Sequence, residues 1–431
     1  MSSLALLGGQ PIREKPFPAY RTLGDEEKSS ILEVIDSGVL SAYLGSWHEK
    51  FYGGKQVQNL ESKWASYFGV KHAIAVNSNT SGLIASMGAI GLEPGDEVIV
   101  SPYSMSISAV APLFYGAIPV FADIDTTYFC LDPKSVESKI TSKTKAIIIV
   151  DLFGHPYQVE EINEIARRNN IYVIEDAAQA PGGLYKNQFC GTFGDIGIFS
   201  LNYHKHIHSG EGGIIVTNNT TLAENLQLIR NHAESVVEAK GHHTLVNMVG
   251  FNFRMTEIEA AIASCQLKKL DGLLETRIKN SHYLLEKLGE IPAFSPAKTH
   301  AFAKHSFYIQ PCIFNTEIAG VERNRFMAAV CAELPFMELR ENEGKLIGCG
   351  YVKPIYLQPM FQQRIAIGSK GYPFTSAGEH VSYEKGICPV VESMHFKELF
   401  TLDLAHSFMQ TRDLDDVVNA FYKVWECRDE L

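Results

Sequence analysis

The chain has no cysteine pairing that would hold a metal or a redox couple. Its eight cysteines, Cys130, Cys190, Cys265, Cys312, Cys331, Cys349, Cys388 and Cys427, lie far apart with no C-x-x-C spacing, and read as reduced, mostly core thiols. It also lacks a surplus of positive charge. Lys and Arg number 38 against 49 Asp and Glu, a formal net charge of -11, and the cations are scattered, which excludes a nucleic-acid surface. The opening Met1 to Gly9 has no positive n-region, and its apolar run is too short for a signal or a membrane span, so a cytoplasmic location is expected. No segment repeats or falls to low complexity. What is present is 431 residues, 45% of them hydrophobic, enough for a large core and a second unit.

After an irregular, proline-bearing lead, Asp25-Glu26-Glu27 predicts a helix with Ile31, Val34 and Ile35 on one face and Gly38 at its end. A second helix carries Val57, Leu60, Trp64 and Phe68 and stops at Gly69. Strands are then predicted at 72–76, 97–100, 118–122, 145–150, 171–175, 196–199 and 213–217, with helices at 81–90, 106–114, from Asp132-Pro133, and at 159–168. Short buried runs alternating with helices imply an α/β fold with a mainly parallel sheet covered on both faces. Thr256-Glu257-Ile258-Glu259 has the spacing of a capping box and predicts a long helix to Leu270, followed by another to Leu288. Beyond it the pattern is mixed, with a strand at 307–314 and helices at 323–334 and 414–425. The expected division is a large unit, 1–270, and a smaller α+β unit, 271–431.

The most telling stretch runs from Ser200 to Gly213, where Lys205 stands five positions before Gly210-Glu211-Gly212-Gly213. Upstream, the apolar run 171–174 ends in Glu175-Asp176-Ala177-Ala178-Gln179, which puts a carboxylate at the C-terminal edge of a buried strand, where open α/β sheets bind ligands. An amine in a glycine-rich turn and an anion at a strand end are what pyridoxal 5'-phosphate (PLP) chemistry needs, one for a Schiff base and one for the pyridine nitrogen. Asn77-Ser78-Asn79-Thr80-Ser81-Gly82, between a strand and a helix, offers the N–H groups and hydroxyls that a phosphate requires. His204, His206 and His208 alternate around Lys205 and would share a face on a strand. No local carboxylate or cysteine completes a metal site, so they read as lining a polar pocket, and no metal is expected.

These segments closely resemble the sugar aminotransferases of the DegT-DnrJ-StrS family, and Gly250-Phe251-Asn252-Phe253-Arg254-Met255 resembles that family's Gly-aromatic-Asn-aromatic-Arg-Met segment. The resemblance spans nearly the whole chain and implies the type I PLP-dependent transferase fold. By it, Lys205 forms the Schiff base and shuttles the proton, and Asp176 pairs with the pyridine nitrogen. Gln179 meets the ring hydroxyl, Asn79 and Thr80 hold the phosphate, and Ser200 adds a hydroxyl. Met105 takes the place over the ring face where relatives carry an aromatic residue, with Tyr103 the nearest alternative. Asn252 reaches the phosphate in a neighbouring subunit, which implies a homodimer with shared sites. Arg254 is a candidate for the carboxylate of the amino donor, glutamate or glutamine, and His204 or His206, together with Tyr356 in the loop between Pro354 and Pro359, for contact with the substrate. That substrate is a keto sugar linked to a nucleotide or, alternatively, a keto-cyclitol such as scyllo-inosose. A branch of the family that dehydrates sugars carries histidine at the lysine position, so Lys205 argues against it. A PLP-binding regulator would need a winged-helix domain and a basic face, and neither is present.

Overall fold

Short runs of β-branched and other apolar residues, buried on both faces, build a seven-stranded sheet: β1 (His72–Val76), β2 (Glu97–Val100), β3 (Ile118–Phe121), β4 (Thr144–Val150), β5 (Tyr172–Asp176), β6 (Ile196–Ser200) and β7 (Gly213–Thr217). Their spatial order is β1-β7-β6-β5-β4-β2-β3. The pairs β3/β2, β2/β4, β4/β5 and β5/β6 are parallel, while β7 runs antiparallel to both its neighbours. The structure, a computed structural model, describes residues 3–338 and 346–431. This is the α/β sheet architecture of the PLP-dependent transferases of fold type I.

The longer helices are α1 (Asp25–Ser37), α2 (Lys55–Phe68), α3 (Asn79–Ala89), α4 (Val159–Asn169), α5 (Thr220–Arg230), α6 (Glu257–Gly289), α7 (Arg323–Glu333) and α8 (Thr411–Glu426). Helix α3 is apolar almost all round, because it is buried against the sheet and α5. The expected pair of helices after Thr256 is one helix of 33 residues, opened by the Thr256–Glu259 capping box. The helix expected at 106–114 tightens after Val110 into a 3₁₀ turn, and Pro112 within it removes a backbone donor. The strand expected from Phe307 begins at Gln310, since Phe307 sits at φ +50°.

A second, antiparallel sheet is formed by β8 (Phe294–Pro296), β9 (Gln310–Phe314), β10 (Ile347–Cys349) and β11 (Leu399–Leu402), in the order β8-β9-β11-β10. An apolar cluster gathers around it from α7, α8 and the Leu284–Leu288 end of α6, and takes in Leu4 and Phe17 from the start of the chain. The other end of α6 places Leu267, Leu270 and Leu274 in a cluster with Trp64, Phe68 and Phe199 under the large sheet. No helix among the described residues is long and apolar enough to cross a membrane.

Candidate active site

Strands β1, β4, β5 and β6 all finish at the same edge of the large sheet. There Val150 pairs with Asp176, and Gly213 pairs with both Ser200 and Val76. A parallel bridge between Ser78 and Gly212 then ties the start of α3 to the glycine turn. A side chain at Gly213 would bring a Cβ to 2.6 Å from the Ser78 carbonyl carbon and 2.7 Å from the Asn79 nitrogen, so only glycine permits this approach.

Asp176 ends β5, 3% exposed. Its Oδ1 accepts from the Asn79 Nδ2 at 3.1 Å and the Ala178 N–H at 3.2 Å, and its Oδ2 accepts from the Ser108 hydroxyl at 3.2 Å. Burial pushes the carboxyl above its ordinary range, opposed by the Ala178 N–H, the positive charge of Lys205 and the bonds from Asn79 and Ser108. Lys205 is itself buried, and its ammonium stands 4.3 Å from the centre of the Tyr308 ring.

The Asn77–Gly82 segment forms the start of α3. Ser78 caps it through the Ser81 N–H, and Asn79 and Thr80 are its first helical residues, whose N–H groups have no intrahelical partner. Thr80 is exposed beside them. Asn79 departs from expectation: its side chain turns back to Asp176, so what it offers an anion is its backbone N–H. Ser200, at the end of β6, is buried and accepts the Asn202 N–H at 3.3 Å.

Gln179 is fixed on both sides of its amide. Its Oε1 accepts the Phe153 N–H at 2.7 Å, and its Nε2 donates to the Tyr351 hydroxyl at 3.1 Å. Tyr351 and Tyr308 are the residues that sequence reasoning missed. The stretch around Tyr351 carries no motif, and nothing local distinguishes this tyrosine from the one selected, Tyr356. That choice is corrected by the structure. Tyr356 is fully buried, packed on Phe121, with its hydroxyl donated to Glu392, and so cannot touch substrate.

Residues 203–208 form a loop rather than a strand, and the three histidines do not share a face. His206 is buried and meets the Ser306 carbonyl at 3.0 Å, and burial holds its imidazole well below its ordinary pKa. His204 lies against Tyr203 and, with His208, lines a cavity of about 450 Å³ shared with Tyr20, Arg277 and His406. Met105 is 59% exposed, whereas nearby Tyr103 is buried, its ring edge-on to Tyr351 and its hydroxyl accepting the Tyr351 N–H at 2.8 Å. Asn252 is exposed and accepts from the Arg254 Nε at 2.8 Å.

Comparison with known proteins shows the family and the fold. Residues 38–398 match the model described as the DegT/DnrJ/EryC1/StrS aminotransferase family. The chain is 38% identical over 269 residues to GDP-perosamine synthase of Caulobacter vibrioides, covering 62% of this chain and 69% of that one. It is 29% identical over 451 residues to L-glutamine:2-deoxy-scyllo-inosose aminotransferase of Streptomyces kanamyceticus, covering 100% and 98%. Its fold superposes on the X-ray structure of an aminotransferase from Psychrobacter cryohalolentis with a TM-score of 0.80 and 25% identity, over 95% of this chain and 99% of that one.

Proposed function

This chain belongs to the DegT/DnrJ/EryC1/StrS aminotransferase family, and from that premise we propose that it moves an amino group from L-glutamate or L-glutamine to the keto group of a nucleotide-linked deoxysugar, with PLP as cofactor and the two half-reactions alternating. One observation carries the reading: Lys205, Asp176 and the open start of α3 meet at a single sheet edge.

The donor set fits the cofactor. Asp176 Oδ2 accepts one hydrogen bond and has capacity for another, as a partner of a pyridinium N–H requires. The N–H groups of Asn79 and Thr80, with the Thr80 hydroxyl, suit a phosphate at a helix start. When bound, PLP supplies a carbonyl that takes up an amine and a ring that accepts the electron pair released at the substrate carbon. Lys205 Nζ, which the fold holds in a largely dry position, would take the proton from the substrate carbon and hand it on within the site. Asp176 would hold a proton on the ring nitrogen, and Gln179, clamped by Phe153 and Tyr351, would help hold the ring.

A keto-cyclitol is the second reading, favoured by the match of the whole chain to the scyllo-inosose aminotransferase. The same proposal includes a homodimer in the cytoplasm, with Asn252 of one protomer completing the phosphate site of the other. Exposed Leu32, Leu40, Trp47, Leu245 and Val249 support a partnered surface. It also includes the division into 1–270 and 271–431, supported by the second, antiparallel sheet, while residues 355–399 pack back into the large sheet's apolar cluster. Borohydride reduction of the purified holoenzyme followed by peptide mapping tests the site, since the pyridoxyl mass belongs on Lys205 and a label on Lys186 would sink the assignment. Assays with glutamine and glutamate against a 4-keto-6-deoxy nucleotide sugar and scyllo-inosose decide between the substrates.

A further inference from the structure

Glu175 precedes Asp176 on β5, so its side chain leaves the strand on the opposite face, where it is fully buried. Its Oε1 accepts the Gly191 N–H, and its Oε2 accepts those of Phe193 at 2.9 Å and Gly194 at 3.3 Å. Asp151, the residue after β4, lies against it with no exposed surface. Asp151 Oδ1 accepts the Tyr157 N–H at 3.1 Å, and the Asp151 N–H donates to the Asp176 carbonyl at 3.2 Å, but Oδ2 has no partner. One ligand atom each from Asp151, Glu175 and Cys190 lie within 4.8 Å of one another. Among the described residues, no Lys, Arg or His forms an ion pair with either carboxylate.

Two ionised carboxylates in contact in a dry interior, with no cation between them, repel strongly. One shared proton removes that repulsion and gives the orphaned Oδ2 a role as donor. We propose that Asp151 is an un-ionised acid whose Oδ2 donates its proton's hydrogen bond to the Glu175 carboxylate, locking the end of β4 to β5 and so fixing the place of Asp176. The proton is on Asp151 because both Glu175 oxygens already accept from backbone N–H groups. Burial, followed by the Glu175 charge, pushes the Asp151 carboxyl well above its ordinary range. The other groups around the pair, Tyr157, Cys190 and Cys130, are driven up by burial and stay neutral, which leaves Asp176 as the nearest further carboxylate. The pair then carries one negative charge instead of two, and Asp176 ionises beside a smaller opposing field. Asp151 acts here as a positioning residue, and the inference needs only that Asp176 end β5.

Infrared difference spectra of the holoenzyme at mildly alkaline pH, wild type minus Asp151→Asn, test this. The expected result is a carbonyl band of an un-ionised carboxyl, sensitive to deuteration, in the wild type and absent from the variant. Asp151→Asn, whose amide donates where the acid did, keeps kcat/KM within about twofold with an unchanged pH profile, whereas Asp151→Leu loses roughly tenfold or more. Absence of the band from the wild type overturns the proposal. So does a stoichiometric divalent cation that the wild type retains and Asp151→Asn loses, or an Asn variant as impaired as the Leu variant. If Asp151→Leu does not fold, the band and the Asn variant decide. The band is also readable without cofactor or substrate, so its failure is distinguishable from failure of the proposed reaction.

Discussion

At the edge of the large sheet, local turns supply part of what holds the polar side chains, with the Ser81 N–H on Ser78 and the Ala178 N–H on Asp176, and Asn79 and Ser108 reach Asp176 from farther along the chain. In the stretch from Ile347 to Phe361 the partners are distant. The Tyr351 hydroxyl meets Gln179, and the Tyr356 hydroxyl meets Glu392 in the core. The first region combines local turns with long-range bonds at Asp176, and the second meets it only through tertiary packing. Chemistry therefore depends on the edge, while the second region shapes its surroundings.

Removing the edge's own groups draws the contrast most sharply. Lys205→Ala is expected to lower turnover by more than about 10³-fold while circular dichroism stays native. Single-turnover kinetics with glutamate check it, and a mild loss would shift the chemistry elsewhere. Asp176→Asn follows, with roughly 10²–10³-fold lost from kcat and much of the cofactor retained, because the contacts at the start of α3 remain. Measured half-reaction rates equal to wild type would break the comparison.

Several histidines are buried near the sheet edge, and they titrate with stability. Burial depresses His155 from 6.5 to about 4, so the unfolded chain takes up the proton more readily. Stability is therefore full above about pH 6.5 and declines as pH falls toward 4, by about 3 kcal/mol for His155 alone. His206 and His305, also held low chiefly by burial, act in the same direction. Denaturant unfolding across this range measures it, and a flat profile would mean these imidazoles are wetter than the fold indicates.

Gly213→Ala, through its clash with Ser78 and Asn79, is expected to cost about 1–3 kcal/mol and to weaken PLP retention together. Thermal unfolding and cofactor titration separate the two effects. The smallest changes come from the paired tyrosines. Tyr351→Phe gives up about 1 kcal/mol of orientation at Gln179, felt as a change in kcat/KM, whereas Tyr356→Phe lowers stability by a similar amount with kcat/KM intact. The reverse outcome would exchange the roles of the two regions.

The same contrast explains what could be read in the sequence. The capped start of α6 and all seven strands of the large sheet were legible because short-range rules fix them, through apolar runs and capping spacing, and the same rules put Asp176 at a strand end and Lys205 in the loop before the glycine turn. Asn79 was legible as a helix start but not in its orientation, since a side chain turning to a strand end 97 residues away is a tertiary event. Tyr308 and Tyr351 left no trace, and Tyr356 was misread, because a loop between prolines does not reveal which ring the core absorbs. The alternating histidines suggested a strand where the chain forms a loop, and hydrogen bonds such as that of His206 to Ser306 set their directions.

Helix α6, at 33 residues and 1.5 Å per residue, is a rod of about 50 Å. One tip follows directly from Asn252 and Arg254, and the other is clamped by Leu284 and Leu288 in the second apolar cluster. An unbroken helix bends only gently, so it behaves as a lever whose far arm is gripped by the antiparallel sheet. A cavity opened at Leu288, although remote from Lys205, would apply its torque at Thr256, and the damage would register first in the segment 250–255 that leads into the helix.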